Sequence, residues 1–304
     1  MTPDEIRARV HNLRVWSRGD QRAPHKPLLL LLALARFAGG QERLPYSEIE
    51  GPLRRLLNGF GPPRGQHQPA YPFWRLQSDG LWALDGTDGL VQRQSNSDPT
   101  VTSLRAVDPV GHFPEALAAT LRARPDLIGD LALDLLTAAF PASVHDDLLS
   151  AVGLDPEAEA PRRPRRRRDP AFREAVLRAY GYRCAVCGFE TRVGGVLVGL
   201  DAAHVRWHQY HGPDEVSNGL ALCTLHHRLL DRGAFTVAAA AASERVVEVA
   251  EDAHGGAGFE RWLLAFHGRP LADPVRPADR IAEPSAEWHR REVFRGPGRP
   301  RTSV

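Results

Sequence analysis

Every cysteine of this chain falls in one of two short pairs. Cys184 and Cys187 are separated by two residues, and Cys223 stands at the same spacing before His226. A two-residue spacer lets both side chains of a pair turn toward one point. Thiolates and imidazole suit Zn²⁺, so two such knuckles predict one tetrahedral Cys3His site. This constrains the fold more than any other feature, because whatever lies between must bring 184–187 and 223–226 together. For a lone pair, buried structural thiols would be the better reading; two matched pairs favour the metal. An odd number of cysteines, three in 304 residues, also excludes a disulfide scaffold and points to a reducing compartment, the cytoplasm.

At roughly 100–200 residues per domain the length predicts two domains. The longest apolar stretch, Pro27 to Ala35, has the length of a buried helix and falls well short of the ~18 residues that cross a membrane. The N-terminal residues are acidic, with no basic-then-apolar leader, so no secretory signal is expected. The sharpest change in composition follows Gly153. A Pro-, Ala- and acid-rich stretch leads into six arginines within residues 162–168. That pattern predicts an exposed basic linker over 153–169, between domains at 1–152 and 170–304. A run of like charge repels itself unless a polyanion neutralises it, so it points to nucleic acid, although the net charge is only +2. A merely solubilising linker is the plainer alternative. Lys26 is the only lysine among the 39 Lys and Arg. A GC-rich genome explains the arginines and leaves Lys26 conspicuous.

The fold class read from patterning is α+β, with a helix-rich first half. Helices are expected over Pro3–Ser17, 27–38, Ser47–Leu57, 114–123 and 125–152. Residues 59–70 read as loop. Tyr71–Leu76 and Leu81–Leu84 read as two strands joined at Asp79-Gly80. After the linker come a helix over Ala171–Tyr180, a strand over Val196–Leu200, a helix starting near Cys223, a β segment over Phe235–Val237, a helix over 258–267 and a mobile basic tail.

Between and after the zinc knuckles stand Asp201-Ala202-Ala203-His204, then Asn218-Gly219-Leu220-Ala221-Leu222, then His226-His227 and Asp231-Arg232-Gly233. This ordered set resembles the HNH, or ββα-metal, nuclease module, closely over 170–240 and more loosely toward the tail. Phosphodiester hydrolysis needs a water deprotonated near neutral pH and charge stabilisation at the phosphate. His204, at a strand end, is the candidate general base. Asn218 is expected to orient it or to hold the loop. His227 and Asp231 are four apart on a helix, so they share a face and suit one divalent ion, Mg²⁺ or Mn²⁺. Ala203 stands where many HNH modules carry a metal-binding Asp or His. Asp201 is expected to supply that carboxylate or to stand behind the ligands. His208 and His211, in the loop, are weaker candidates.

The segments Pro24-His25-Lys26-Pro27 and Tyr71-Pro72-Phe73-Trp74-Arg75-Leu76 resemble the sulfur-binding domain of McrA-like HNH enzymes, which recognise phosphorothioated DNA; the resemblance covers roughly 1–150. Sulfur in place of a nonbridging oxygen is larger, more polarizable and less hydrated. A reader therefore needs an apolar floor beside a cation. Tyr71 and Pro72 offer the floor, and His25 and Lys26, at a helix start, offer donors and charge. Arg64, His67 and Arg75 are expected on flanking phosphates or bases. The plainer reading makes this a strand with core aromatics, Phe73 and Trp74 above all. Together the resemblances imply a type IV-like restriction endonuclease on phosphorothioated double-stranded DNA. A homodimer is expected, since a double-strand break needs two cuts. The rivals are an HNH enzyme reading methylated or hydroxymethylated cytosine and a non-cleaving DNA-binding protein with a degenerate HNH fold. A third is RNA cleavage, for which no motif is visible.

Overall fold

A computed structural model describes residues 1–14, 19–63, 67–93, 98–154, 170–240 and 244–300. They divide into two units, Met1–Arg163 and Pro164–Val304, each with its own apolar core. Most of the expected linker, 155–169, lies outside the described residues, as do Val15 and Trp16. No described helix is long and apolar enough to cross a membrane.

The leucine-rich stretch makes the centre of the first unit. Helix α2 (His25–Ala38) buries every residue from Pro27 to Ala35. A helix apolar all round must be surrounded. Helices α3 (Tyr46–Phe60), α4 (Ala70–Arg75), α7 (Asp126–Ala139) and α8 (His145–Val152) pack on it, while α1 (Pro3–His11) packs on α7. Pro27 sits in the first turn of α2, where a missing N–H costs no intrahelical bond, so His25 and Lys26 open the helix as expected. Helix α1 starts on a capping box between Thr2 and Glu5 and ends short of the expected Ser17. Strands β1 (Arg43–Pro45), β2 (Ala83–Asp85) and β3 (Val110–His112) form an antiparallel sheet in the order β1-β3-β2. Gly111 is bare on the middle strand because a Cβ there would lie 2.0 Å from the Trp82 ring. Helices α5 (Val101–Val107) and α6 (Glu115–Ala123) complete the unit.

The expected strand at Tyr71–Leu76 is a helix instead. Ala70, Phe73 and Leu76 are all buried, a spacing of three that places them on one helical face. Pro72 falls in the first turn, where it is tolerated. Phe73 meets Tyr46 and Trp82 edge-on at centroid distances of 5.0 and 5.9 Å, so it is core, as the plainer reading held. A short 3₁₀ turn, Leu76–Asp79, follows and ends at Gly80, whose φ of +67° makes it a cap rather than a hairpin turn.

In the second unit, α9 (Pro170–Ala179) leads through the first cysteine pair to a two-residue-per-strand hairpin, β4 (Arg192–Val193) and β5 (Val196–Leu197). The apolar run 196–200 is therefore not one strand. Gly199, at φ +73°, breaks it, and Val196 and Val198 are exposed. Strands β6 (Leu200–His204) and β7 (Gly219–Cys223) pair antiparallel, and α10 (Thr224–Asp231) packs on both, as does α9. Strands β8 (Phe235–Ala239) and β9 (Arg245–Val249) form a second pair. Helix α11 (Ala257–Trp262) is shorter than the expected 258–267, giving way to a 3₁₀ turn at Leu264–Phe266. Helix α12 (Glu283–Glu292) buries Trp288 and His289. Residues 295–299 are pinned rather than mobile. Arg295 N–H donates to the Gly233 carbonyl, Glu251 N–H to that of Pro297 and Arg299 N–H to that of Val249, each at 2.9 Å.

Candidate functional site

The two knuckles meet because β7 ends at the second and holds the first. Cys223 closes β7 opposite Leu200, and Ala185 N–H donates to the Ala221 carbonyl at 2.8 Å. The four ligand atoms of Cys184, Cys187, Cys223 and His226 lie within 4.8 Å of one another. Cys223 Sγ is 3.1 Å from His226 Nδ1, Cys184 Sγ is 3.7 Å from it, and Cys187 Sγ is 4.0 Å from Cys223 Sγ. A tetrahedron with arms of about 2.3 Å has edges of about 3.8 Å, so the cluster is sized for zinc. His226 Nε2–H donates to the Trp262 carbonyl at 2.8 Å, which fixes the tautomer and leaves Nδ1 toward the thiols. Hydrogen bonding with Cys187 and Cys223 holds the Cys184 thiol far below its ordinary pKa. Burial alone would lower His226, but the sulfur contacts outweigh it and raise it to about 9. Thiolate character at Cys184 inside a buried cluster is the donor chemistry that Zn²⁺ neutralises.

His204 ends β6, pairs with Gly219 and stacks on Phe172 of α9, with ring centroids 4.1 Å apart at 19°. Gly219 makes room for that stack, since a Cβ there would meet Val176 at 2.4 Å and Phe172 at 3.0 Å. His204 Nε2–H donates to Asp214 Oδ1 at 2.7 Å. The Asp214 carboxylate also lies 4.0 Å from the exposed His208. Asn218 is fully buried and does not orient His204 directly. Its side-chain oxygen accepts from Arg206 N–H at 2.9 Å, and its amide donates to the carbonyls of Arg206 and Pro213 at 3.0 Å each. Of the two roles expected for it, holding the loop is the one its contacts describe.

His227 and Asp231 share a face of α10, with Nε2 3.2 Å from Oδ2 and both side chains buried. Asp201 lies on β6 with His204. It stands three residues before His204 on a regular strand, so the two side chains leave opposite faces. Its Oδ1 instead accepts from Arg173 Nε at 3.0 Å and from Ala202 N–H at 2.9 Å. Among the described residues, no second group of three His, Cys, Asp or Glu ligand atoms gathers as closely as the zinc cluster. Asp214 is the residue that the sequence reading missed. It lies ten positions from its partner in an irregular loop, beyond the reach of strand or helix periodicity.

In the first unit, α2 and the loop before α4 bring His25 and His67 together, ring centroids 5.6 Å apart. The guanidinium carbons of Arg75 and Arg93 lie 5.1 and 5.2 Å from the centre of the Tyr71 ring. Arg93 also donates to the Tyr71 hydroxyl at 2.8 Å. Arg75 is held at both ends of the Asp98 carboxylate at 2.5–3.0 Å, and that hydrogen bonding raises its pKa further. Pro72 is buried on the same helix. Arg64 lies outside the described residues. Lys26 pairs with a carboxylate of its own unit. Its ammonium sits 2.5 Å from Asp79 Oδ2, with Lys26 12% and Asp79 2% exposed in their side chains. Asp79 Oδ1 also accepts the Arg14 N–H at 2.8 Å. The charge expected to meet a phosphate thus also faces an internal carboxylate.

The second unit thus carries a Cys3His cluster on a ββα frame, and the first is a helical unit with Tyr71 beside two arginines. Residues 184–238 match the HNH endonuclease family, and residues 3–157 match the family described as ScoMcrA-like, DNA sulfur-binding domain. The chain belongs to that sulfur-binding family and carries an HNH domain after it. It is 29% identical to the sulfur-binding domain of ScoMcrA complexed with phosphorothioated DNA, over 49% of this chain and 94% of that one, with a TM-score of 0.43. It is 26% identical to the Type IV phosphorothioation-dependent restriction endonuclease ScoMcrA, over 64% of this chain and 40% of that one, with a TM-score of 0.42. The sulfur-binding domain of SprMcrA, also complexed with phosphorothioated DNA, is 24% identical over 51% of this chain and 95% of that one, with a TM-score of 0.42. No curated protein matches the chain.

Proposed function

We propose that this chain is a modification-dependent endonuclease: residues 1–152 read phosphorothioated double-stranded DNA, 153–169 link, and 170–304 cut nearby. The observation that carries the reading is the union, on one chain, of a sulfur-binding domain with an HNH domain that retains His204, Asn218, His227 and Asp231. The non-cleaving alternative gives no reason to keep that set.

His204 is the general base on water, an imidazole suited to proton transfer near neutral pH. His227 and Asp231 would hold Mg²⁺ or Mn²⁺, which polarises the phosphate and stabilises the leaving oxygen when bound. Asn218 keeps the loop after β6 in shape. The zinc of Cys184, Cys187, Cys223 and His226 is structural. On the reader, Tyr71 and Pro72 receive the sulfur, His25 and His67 donate beside it, and Arg75 contacts a neighbouring phosphate. Two chains act together on the two strands, in the cytoplasm.

Purified protein is incubated with Mn²⁺ or Mg²⁺ and three matched plasmids: phosphorothioated, cytosine-methylated and unmodified. Cleavage confined to the phosphorothioated plasmid is expected. Cutting confined to the methylated plasmid would replace the sulfur reading with a base reading, and no cutting of any would return the non-cleaving alternative.

A further inference from the structure

The contact between His204 and Asp214 is built by the loop that joins β6 to β7. Asp214 reaches Nε2 of His204 at 2.7 Å while Phe172 stacks on the ring face. The loop leaves little freedom to place that carboxylate elsewhere. Asn218 bonds to both Arg206 and Pro213, spanning the loop beneath Asp214. Gly212 approaches so closely that a Cβ there would sit 1.8 Å from the Arg206 carbonyl oxygen. Gly212 N–H in turn donates to the Trp207 carbonyl at 3.1 Å. An exposed ion pair of convenience needs none of this scaffolding.

Resting on the reading of His204 as general base, we propose that Asp214 is its positioning residue. A neutral imidazole that donates from Nε2 carries its lone pair on Nδ1. Accepting the Nε2 proton, Asp214 fixes which nitrogen takes the proton from water and stabilises the imidazolium that forms. No bond to substrate is made by Asp214. The aspartate does the work that Asn218 was expected to do, and Asn218 acts one step behind it by holding the loop.

The test uses the full, zinc-loaded chain labelled with ¹⁵N-histidine. Two-bond ¹H–¹⁵N spectra, with His204 assigned by its absence in His204→Ala, are expected to show the Nε2–H tautomer. In Asp214→Asn the tautomer is expected to shift toward Nδ1–H or a mixture, and in Asp214→Glu to return. On a phosphorothioated duplex with Mn²⁺, Asp214→Asn and Asp214→Ala should lose about 100-fold or more in kcat with KM unchanged, and Asp214→Glu should recover part. An Nδ1–H tautomer in the unmodified protein overturns the proposal. So does an Asp214→Ala variant that cleaves within about threefold of the unmodified protein while His204→Ala is dead. If Asp214 variants fail to fold, the tautomer of the unmodified protein alone decides. If His204→Ala still cleaves, it is the general-base reading that fails, and the spectra still judge the contact.

Discussion

At the scale of single residues, Lys26 and Tyr71 of the first unit differ in what holds them. Lys26 and Asp79 form a buried pair, and removing one partner leaves the other charge uncompensated, at a cost of about 3–5 kcal/mol. Lys26→Ala is therefore expected to lower the melting temperature of the first unit by roughly 10 °C. Arginine should not restore it, because a planar fork does not fill the place of a compact ammonium. Thermal melts check this, and an unchanged melt with weakened DNA binding would return Lys26 to the phosphate. Tyr71 has the opposite character. Its ring is only partly buried and lies near the guanidinium groups of Arg75 and Arg93, so it offers a polarizable surface beside cations. Tyr71→Ala should abolish the preference for a phosphorothioated over an unmodified duplex. Tyr71→Phe, which loses only the hydroxyl bonded to Arg93, should keep most of it. Binding isotherms on matched duplexes distinguish the two.

At the scale of elements, the loop between β6 and β7 and the zinc knuckles are the parts that must not move. Gly212→Ala places a Cβ against the Arg206 backbone and is expected to disturb the loop that carries Asp214. Cleavage should fall sharply while duplex affinity and zinc content hold, as gel assays beside metal analysis would show. Zinc and the catalytic ion should part company on chelation. Mild chelation removes the weakly held divalent ion and stops cutting with the fold intact. Stripping zinc, or Cys223→Ser, should unfold the second unit, seen as lost ellipticity and well under one zinc per chain. Such elements were legible in the sequence to different degrees. That Cys184, Cys187, Cys223 and His226 gather could be read from their spacing, and that His227 and Asp231 share a face from the period of a helix. Tyr71–Leu76 misled because its aromatic alternation mimics a strand, although Ala70, Phe73 and Leu76 already carried a period of three. Asp214 was illegible, since loop closure rather than any periodicity brings it to His204. The strand register, which the sequence alone does not give, sets Asp201 and His204 on opposite faces of β6.

At the scale of the whole molecule, the proposed function divides labour between two units that each have a core of their own. Binding and cutting should then be separable by single substitutions, one on each side of the linker. The unmodified protein and His204→Ala are compared on one phosphorothioated plasmid and its unmodified twin with Mn²⁺, binding and cleavage being measured on the same samples. Both proteins are expected to bind the phosphorothioated DNA with equal affinity and preference, and only the unmodified protein to cut it. A His204→Ala protein that still cuts, or that loses the preference while remaining folded and zinc-loaded, would contradict this division of labour.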